Sequence, residues 1–431
     1  MSVEPERGSG PIEGGLLGLA VLSFIAGGAS GLLGAAFRRL LEWADRFRSA
    51  AIVGAHAMGF AGLPLVVVGV AAAAGIAAWL VRRFAPQAEG SGIPHVEAVL
   101  NGEEPPAPTR LIPIKFVGGL LAIGGGLALG REGPTVQMGA STAHLLGSVF
   151  RRSRADCRVL LAAGAGAGLA TAFNSPIAGA VFVLEELVRR FETRIAIAAL
   201  GASAGAIGVA RLLLGQAPDF RVWPQPYPGF GTLPVYLLLG LLAGLLGVAY
   251  NRLILGALSV TRRLELSAEG RAALVGGAVG LLAWFLPDLV GAGDPITQRT
   301  LAGIPTVFAV SLTFLLRFGL GPVSYAAGTP GGLFAPMIVL GSQIGLLFGA
   351  LCRVGFPALT PTTTTLAVVG MAAFFTAMVR APVTGIVLVT EMTGSFTLLL
   401  PMLGACFAAM LVPTLLSEPP IYDSLSHRAA R

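Results

Sequence analysis

The segment Leu127–Gly139 reads L-A-L-G-R-E-G-P-T-V-Q-M-G and places an arginine and a glutamate between two apolar runs. Proline is well tolerated in the first turn of a helix, and glycines let the chain bend sharply before it. The pattern therefore predicts a non-helical approach over Gly130–Gly133 and a helix over Pro134–Phe150. The first amides of such a helix have no intrahelical partner and carry partial positive charge, which favours an anion.

The chain around this segment is strongly apolar. Hydrophobic residues make up 55% of the 431 residues and charged residues 12%, half of the roughly 25% that is usual in soluble proteins. The acidic first residues do not resemble a signal peptide. Shorter apolar runs at 132–149, 158–172 and 365–378 suggest re-entrant or tilted helices, and the composition predicts an all-α, multi-pass membrane protein. Runs long enough to cross a bilayer, which takes about 20 residues, occur at 15–36, 60–80, 232–256 and 382–416.

Charge and motif patterns argue against nucleic-acid binding and against an enzyme. The net charge of +7 comes from arginine clusters, which in a membrane protein mark loops and headgroup contacts. G-A-S-A-G at 201–205 lies in an alanine-rich stretch that predicts helix, whereas a nucleophile elbow needs a preceding strand. The four histidines lack metal-ligand spacing.

The chain contains an internal repeat, because prolines and glycines recur in a nearly constant register. Repeated halves are typical of secondary transporters, whose binding site lies near the midplane where the halves meet. Spacing alone leaves open whether the copies are parallel or inverted. The matched pairs are 90–94 with 291–295, Lys115 with Arg317, Gly130 with Gly332, Pro134 with Pro336, Gly139 with Gly341, and 175–185 with 381–391.

The repeat and the composition divide the chain. The prolines of the segment between the two copies exclude helix, and its aromatic residues suit the membrane interface. We expect an N-terminal tail at 1–14, a first transmembrane repeat at 15–215, an interfacial linker at 216–229, a second repeat at 230–416 and a C-terminal segment at 417–431.

Three broken helix starts share one pattern: G-S-G-I-P at 90–94, G-R-E-G-P at 130–134 and G-T-P-G-G-L-F-A-P at 328–336. Together they imply amide clusters that converge on one anion. A glutamate inside a membrane segment is costly and indicates function. The carboxylate of Glu132 can occupy the amide cluster when the anion is absent and leave it when protonated; the alternative is a salt bridge to Arg131.

These motifs resemble those of the CLC family of chloride channels and chloride/proton antiporters, most closely the bacterial exchangers without cytoplasmic regulatory domains. The resemblance implies two inverted-topology helical repeats with broken and re-entrant helices, a homodimer with one ion pathway per subunit, and a multi-pass protein of the bacterial inner membrane. Besides the three helix starts, it rests on I-K-F-V-G-G (114–119), A-F-N-S-P-I-A-G (172–179), R-A-P-V-T-G-I-V-L-V-T-E-M-T (380–393) and P-I-Y-D (420–423).

The resemblance also implies roles for single residues. Ser91 and Tyr422 would offer hydroxyls to the central anion, backbone amides would complete the site, and Glu132 would be the outer gate and proton acceptor. Serine at position 91 resembles the chloride-preferring members of the family. The complete expected anion site is Ser91, Gly92, Ile93, Arg131, Glu132, Gly133, Leu333, Phe334 and Tyr422.

In the same family, exchangers tend to carry a second, inward-facing glutamate, and that position falls on Glu186. The alternative is a pair of helix-end salt bridges, Glu185–Arg189 and Glu186–Arg190. Lys115, the only lysine of the chain, is expected to supply positive potential to the anion path, buffered by Glu97, or to form a structural ion pair.

The sequence therefore predicts exchange of chloride for protons, with chloride as substrate and no cofactor. Membrane lipid and a second copy of the chain are the other expected partners. The alternative is a passive chloride channel of the same fold, gated by voltage or pH.

Overall fold

The computed structural model describes residues 15–227, 229–263 and 265–429, so the expected tail at 1–14 lies outside the described residues. This part of the chain is helical and contains two isolated backbone bridges but no strand. The helices are α1 Leu16–His56, α2 Leu63–Phe84, α3 Ile93–Asn101, α4 Leu111–Gly125, α5 Glu132–Val149, α6 Arg154–Phe173, α7 Pro176–Phe182, α8 Thr193–Leu214, α9 Leu233–Arg263, α10 Ala268–Phe285, α11 Asp294–Leu301, α12 Val307–Tyr325, α13 Phe334–Gly355, α14 Thr363–Val379, α15 Pro382–Thr393, α16 Leu399–Leu415 and α17 Ile421–Ala429.

Eight helices within the described residues are long and apolar enough to cross a membrane: α1, α2, α6, α8, α9, α12, α13 and α16. The sequence prediction was wrong for the run at 158–172, which belongs to the 20-residue α6 because Ser153 caps a helix that starts at Arg154. The run at 382–416, expected to be long enough to cross, contains the crossing helix α16 but is divided into two helices. Gly394, at φ 68°, ends α15, and the chain restarts as α16.

The two repeats are inverted relative to each other. Gly130 and Gly332, which are repeat mates, exchange two backbone hydrogen bonds in antiparallel fashion, with N···O distances of 2.8 and 2.7 Å. Equivalent residues that bond each other reciprocally lie on a local two-fold axis. This axis passes between the starts of α5 and α13.

A second reciprocal contact joins α7 and α15. The Glu185 carboxylate, which follows α7, accepts bonds from the Val383 and Thr384 amides at the start of α15, at 3.0 and 2.6 Å. Glu391, near the end of α15, accepts bonds from the first amides of α7. Each repeat thus caps a helix of the other with a carboxylate, which is stabilising at a helix N-terminus.

The centre of the molecule is formed by α6 and α14, which are almost entirely buried. Glycines allow α5 and α13 to pack tightly on them. A Cβ atom on Gly139 would lie 2.3 Å from the Gly164 oxygen, and one on its mate Gly341 would lie 2.6 Å from the Gly370 oxygen. Such close backbone contact is how helices associate where lipid provides no hydrophobic drive. The fold therefore holds the starts of α5 and α13 rigidly at its centre.

Candidate functional site

The first turns of α3, α5 and α13 meet at one buried place. A Cβ atom on Gly133 would lie 2.5 Å from the Ser91 Oγ, and one on Gly332 would lie 2.8 Å from the Gly133 amide nitrogen. In each helix the earliest amides have no intrahelical partner. The three starts therefore direct unpaired N–H groups and the positive ends of three helix dipoles at the same volume.

Glu132 is the first residue of α5, so the helix begins two residues earlier than the expected Pro134. Its side chain is 1% exposed and folds back over the approach segment. A Cβ atom on Gly130 would lie 1.8 Å from the Glu132 Oε2, and one on Gly332 would lie 3.2 Å from it. Only glycine at both positions leaves room for the carboxylate. The backbone amides of Glu132 and Ala335 lie near it, although neither carboxylate oxygen makes a hydrogen bond of normal geometry.

Two hydroxyls at the same place also lack partners. The Ser91 Oγ and the Tyr422 hydroxyl are buried and make no hydrogen bond to the described part of the chain. Buried polar groups without partners are rare in folded proteins and call for an explanation such as a bound ion. Both hydroxyls and the surrounding amides are donors, which is what an anion requires.

The remaining expected residues of the anion site lie around this volume. Gly92, at φ 82°, precedes α3, and a Cβ atom there would lie 2.2 Å from the Gln137 Oε1. Ile93 begins α3 and Leu333 precedes α13, and both are fully buried. Glycine at 92 is therefore required by both its backbone and its neighbour.

Phe334 occupies the centre of an aromatic cluster at the start of α13. Its ring centroid lies 6.0 Å from that of Tyr422 and 5.9 Å from that of Phe182, with Phe375 at 4.8 Å. Phe182 directly precedes the turn that carries Glu186. The cluster thus lies between the helix starts and the turn that carries the second glutamate.

Arg131 does not pair with Glu132, so the salt bridge considered as the alternative is wrong. Its guanidinium contacts Asp294 at 2.8 Å and Asp219 at 3.4 Å, and its Nε donates to the Ala172 oxygen at 3.0 Å. These contacts direct the cation away from the carboxylate of its neighbour. Arg131 therefore holds the backbone that precedes α5 and leaves Glu132 free.

Lys115 is fully buried, and its partners differ from those expected. The ammonium donates to the Ala88 and Gly90 oxygens at 3.0 and 2.8 Å, whereas Glu97 is the ion-pair partner of Arg189. Arg317, the repeat mate of Lys115, likewise donates to three carbonyl oxygens that precede α11. Both side chains therefore bind the backbone that directly precedes a helix, α3 for Lys115 and α11 for Arg317.

Glu185 and Glu186 have separate environments on a π-helical turn, Val183–Leu187. Glu185 caps α15, as described above, whereas Glu186 is 3% exposed and its Oε1 accepts no hydrogen bond. Neither of the expected i, i+4 salt bridges forms, because Glu186 instead lies 3.7 Å from Arg189. A cavity of about 650 Å³ is lined by Glu186 and Arg189 and connects this carboxyl with the protein surface.

Several contacts of this site were not predicted from the sequence. The two glutamate caps were detectable, since Glu185 and Glu391 are repeat mates at the same position of matched motifs. The pairing of Arg131 with Asp219 and Asp294 had no local signal. G-A-S-A-G at 201–205 lies inside α8, so the strand that a nucleophile elbow needs is absent there.

Comparisons with known proteins agree with this architecture. The family model described as "Voltage gated chloride channel" matches residues 73–414. The chain is 37% identical over 420 residues to the H(+)/Cl(-) exchange transporter ClcA of Salmonella paratyphi A, covering 96% of this chain and 89% of that protein.

Solved structures show the same fold. A slow cyanobacterial Cl-/H+ antiporter has a TM-score of 0.92 at 32% identity, with 99% of each chain covered. A eukaryotic CLC transporter has a TM-score of 0.81 at 25% identity, covering 95% of this chain and 74% of that one. The chain therefore belongs to the CLC family of voltage-gated chloride channels and transporters, and is a multi-pass membrane protein.

Proposed function

We propose that this protein is a secondary active transporter that exchanges chloride for protons, with the anion held at helix N-termini and gated by Glu132. The observation that carries the proposal is the buried meeting point of α3, α5 and α13, where Ser91, Tyr422 and Glu132 keep polar atoms without partners. Relatives named as chloride/proton exchangers support the coupling to protons. Since the curated relatives are bacterial, we place the protein in a bacterial inner membrane.

The proposed anion site uses donors and needs no cofactor. The hydroxyls of Ser91 and Tyr422 and the first amides of the three helices would bind a desolvated chloride ion. The apolar Phe334 ring would exclude water, which strengthens each of these contacts. The whole site is Ser91, Gly92, Ile93, Arg131, Glu132, Gly133, Leu333, Phe334 and Tyr422.

Glu132 and Glu186 are the proposed proton-transfer groups. When ionised, Glu132 competes with chloride for the amides near Gly133 and Ala335; when protonated, it no longer needs them. Glu186 would supply protons from the cavity that it lines. Lys115 would support the anion by a positive charge held beside the start of α3, where its ammonium donates to the Ala88 and Gly90 oxygens.

The other candidate is a passive chloride channel on the same fold. Both candidates use the same anion site, and only the exchanger needs a second protonatable group. The buried carboxyl of Glu186, with one oxygen left without a hydrogen bond, favours the exchanger.

Purified protein in liposomes tests the choice directly. An imposed chloride gradient, with the membrane potential left free, is expected to drive protons against their own gradient, and an uncoupler should collapse that movement. Chloride efflux without proton movement would support the channel and leave Glu186 as a structural residue. If neither ion moves, chloride is not the substrate.

We also propose that the protein is a homodimer with one pathway per subunit. Ile177 on α7 and Val383 on α15 are repeat mates that are 55% and 51% exposed, and Leu403 and Phe407 on α16 are exposed as well. Pairing with a second copy would bury such apolar side chains, and a dimer of this kind uses the same surface on both subunits. Light scattering in detergent is expected to give a protein mass of twice 43.9 kDa. A mass of one chain would contradict the dimer.

A further inference from the structure

One guanidinium joins three acidic side chains from three elements. Arg189 makes two hydrogen bonds to the Asp423 carboxylate, one of them at 3.2 Å. The same group lies 3.7 Å from the Glu186 Oε1 and 4.0 Å from the Glu97 Oε1, and its Nε donates to the Glu186 backbone oxygen. Arg189 therefore ties together the π-helical turn, α3 and α17.

The backbone at this point is unusual and is directed towards these contacts. Arg189 has φ 54°, in the left-handed region that residues with a Cβ atom rarely adopt. It follows the π-helical turn, in which the Val188 amide bonds the Val183 oxygen five residues earlier, at 2.9 Å. Backbone outliers and π-helical turns persist where the surroundings enforce them, and they cluster at functional sites. The outlier is thus the residue whose side chain contacts Glu186 and Asp423.

The contact with Asp423 bears on the anion site because Asp423 directly follows Tyr422 in the first turn of α17. The Tyr422 hydroxyl has no hydrogen-bond partner, so packing and the attachment of α17 determine where it points. A guanidinium that grips a carboxylate with two bonds fixes orientation as well as distance. Arg189 thus sets the position of Tyr422 through its neighbour.

The charges of the cluster are unequal. Three carboxyl groups lie within 4.0 Å of the Arg189 guanidinium, and the buried Glu97 and Glu186 each keep an Oε1 without a hydrogen bond. Two further charges act on the cluster, Arg380 on Asp423 and Glu185 on Glu186. An ionised Glu186 competes with Asp423 for the attraction of Arg189. When Glu186 binds a proton this competition weakens, so that Arg189 holds Asp423 more firmly. Because coupling is reciprocal, the state of the anion site must then affect the proton affinity of Glu186.

We propose that Arg189 is a positioning residue that couples the proton step at Glu186 to the placement of Tyr422 at the anion site. The inference rests on the proposed exchange of chloride for protons, and it names the side chain that links the two ions. Arg189 acts through Asp423 and Glu186 and does not itself touch the transported anion.

Two measurements on the full-length protein test this role. Calorimetric titration with chloride in detergent measures equilibrium binding, and proton movement per chloride in liposomes measures coupling. Asp423→Asn is expected to weaken chloride binding by about tenfold, a typical coupling effect between linked sites, and to lower the proton-to-chloride ratio. Arg189→Lys keeps the positive charge but cannot make both hydrogen bonds to Asp423. Its losses of chloride affinity and of proton coupling are therefore expected to be smaller than those of Asp423→Asn.

The matched control is Arg190→Lys, the same substitution one position later. Arg190 is exposed and lies 3.6 Å from Glu192, and lysine keeps its positive charge at the cavity that both arginines line, so chloride binding and coupling should equal those of the unmodified protein. Unchanged chloride affinity and ratio in Asp423→Asn would overturn the proposal, even if that variant were less stable. If Asp423→Asn cannot be purified in folded form, Arg189→Lys decides by the same two measurements.

A failure of the exchange proposal itself is distinguishable from a failure of this one. If the unmodified protein moves chloride without protons, exchange is refuted. The proposed coupling of Arg189 to a proton step at Glu186 is then refuted as well. Chloride titration of the same variants would still measure whether Arg189 positions Tyr422. A chloride affinity equal to that of the unmodified protein in Asp423→Asn and Arg189→Lys would refute that positioning role.

Discussion

Glu132→Gln is expected to reduce proton movement by about 100-fold or more, as for the loss of other proton-transferring side chains, while chloride flux continues. The amide keeps the size of the side chain between Gly130 and Gly332 but cannot release a proton at physiological pH. Glu132→Ala should likewise lose protons. Because alanine vacates the space beside the helix amides, chloride flux through that variant is expected to exceed that of Glu132→Gln. Paired measurements of chloride efflux and external pH in liposomes check both statements.

Glu269→Gln provides the control for Glu132. Glu269 is a partly exposed glutamate in a surface ion pair with Arg82, at 2.5 Å, and such pairs contribute little to stability. Its substitution should leave both fluxes unchanged. Retained proton coupling in Glu132→Gln would show that Glu132 is not the gate that carries the proton.

Glu186→Gln is expected to spare chloride transport and to abolish coupled proton movement, again by about 100-fold or more. Glu186 lies beside the Arg189 cluster and a surface-connected cavity, away from the starts of α3, α5 and α13. The amide retains the volume of the side chain, and Arg189 keeps its grip on Asp423. Chloride binding should therefore survive while the internal proton donor is lost. The same liposome assay measures both ions.

Glu185→Gln is the matched comparison for Glu186. Glu185 is adjacent but accepts bonds from the first amides of α15, so its substitution is expected to cost about 1–3 kcal/mol of stability through a weakened charged hydrogen bond. Coupling should survive in the folded fraction. Undiminished proton flux in Glu186→Gln would make Glu186 a structural partner of Arg189. Loss of coupling in both variants would show that proton coupling depends on the structure of the π-helical turn and not on the Glu186 carboxyl alone.

The helix starts of the site were predictable because they depend on local chemistry. Glycines that bend the chain and a proline in the first turn predicted the start of α5 to within two residues, Glu132 against the expected Pro134. The same reasoning applied to the start of α13 at Phe334. Run lengths were less reliable, because a cap such as Ser153 extends a helix beyond its apolar part.

The partners of the charged residues were not predictable in the same way. Periodicity allowed Glu185 to pair with Arg189, yet its carboxylate bonds amides about 200 positions later. Lys115 was expected to be buffered by Glu97 on α3, but it bonds carbonyl oxygens of the segment that precedes this helix. In both cases several partners were compatible with the sequence, and packing of the two repeats selected one.

The sequence by itself determined that this is a membrane protein, the register of its two repeats and the places where helices begin. These features were predictable because hydropathy, glycine and proline act within a few residues. The sequence also predicted that the three helix starts converge, but only the tertiary structure decided how they meet and that Glu132 lies between Gly130 and Gly332. The tertiary structure also decided that Arg189 reaches Glu97, Glu186 and Asp423. These contacts join segments far apart in the chain, and their geometry follows from the two-fold packing of inverted repeats.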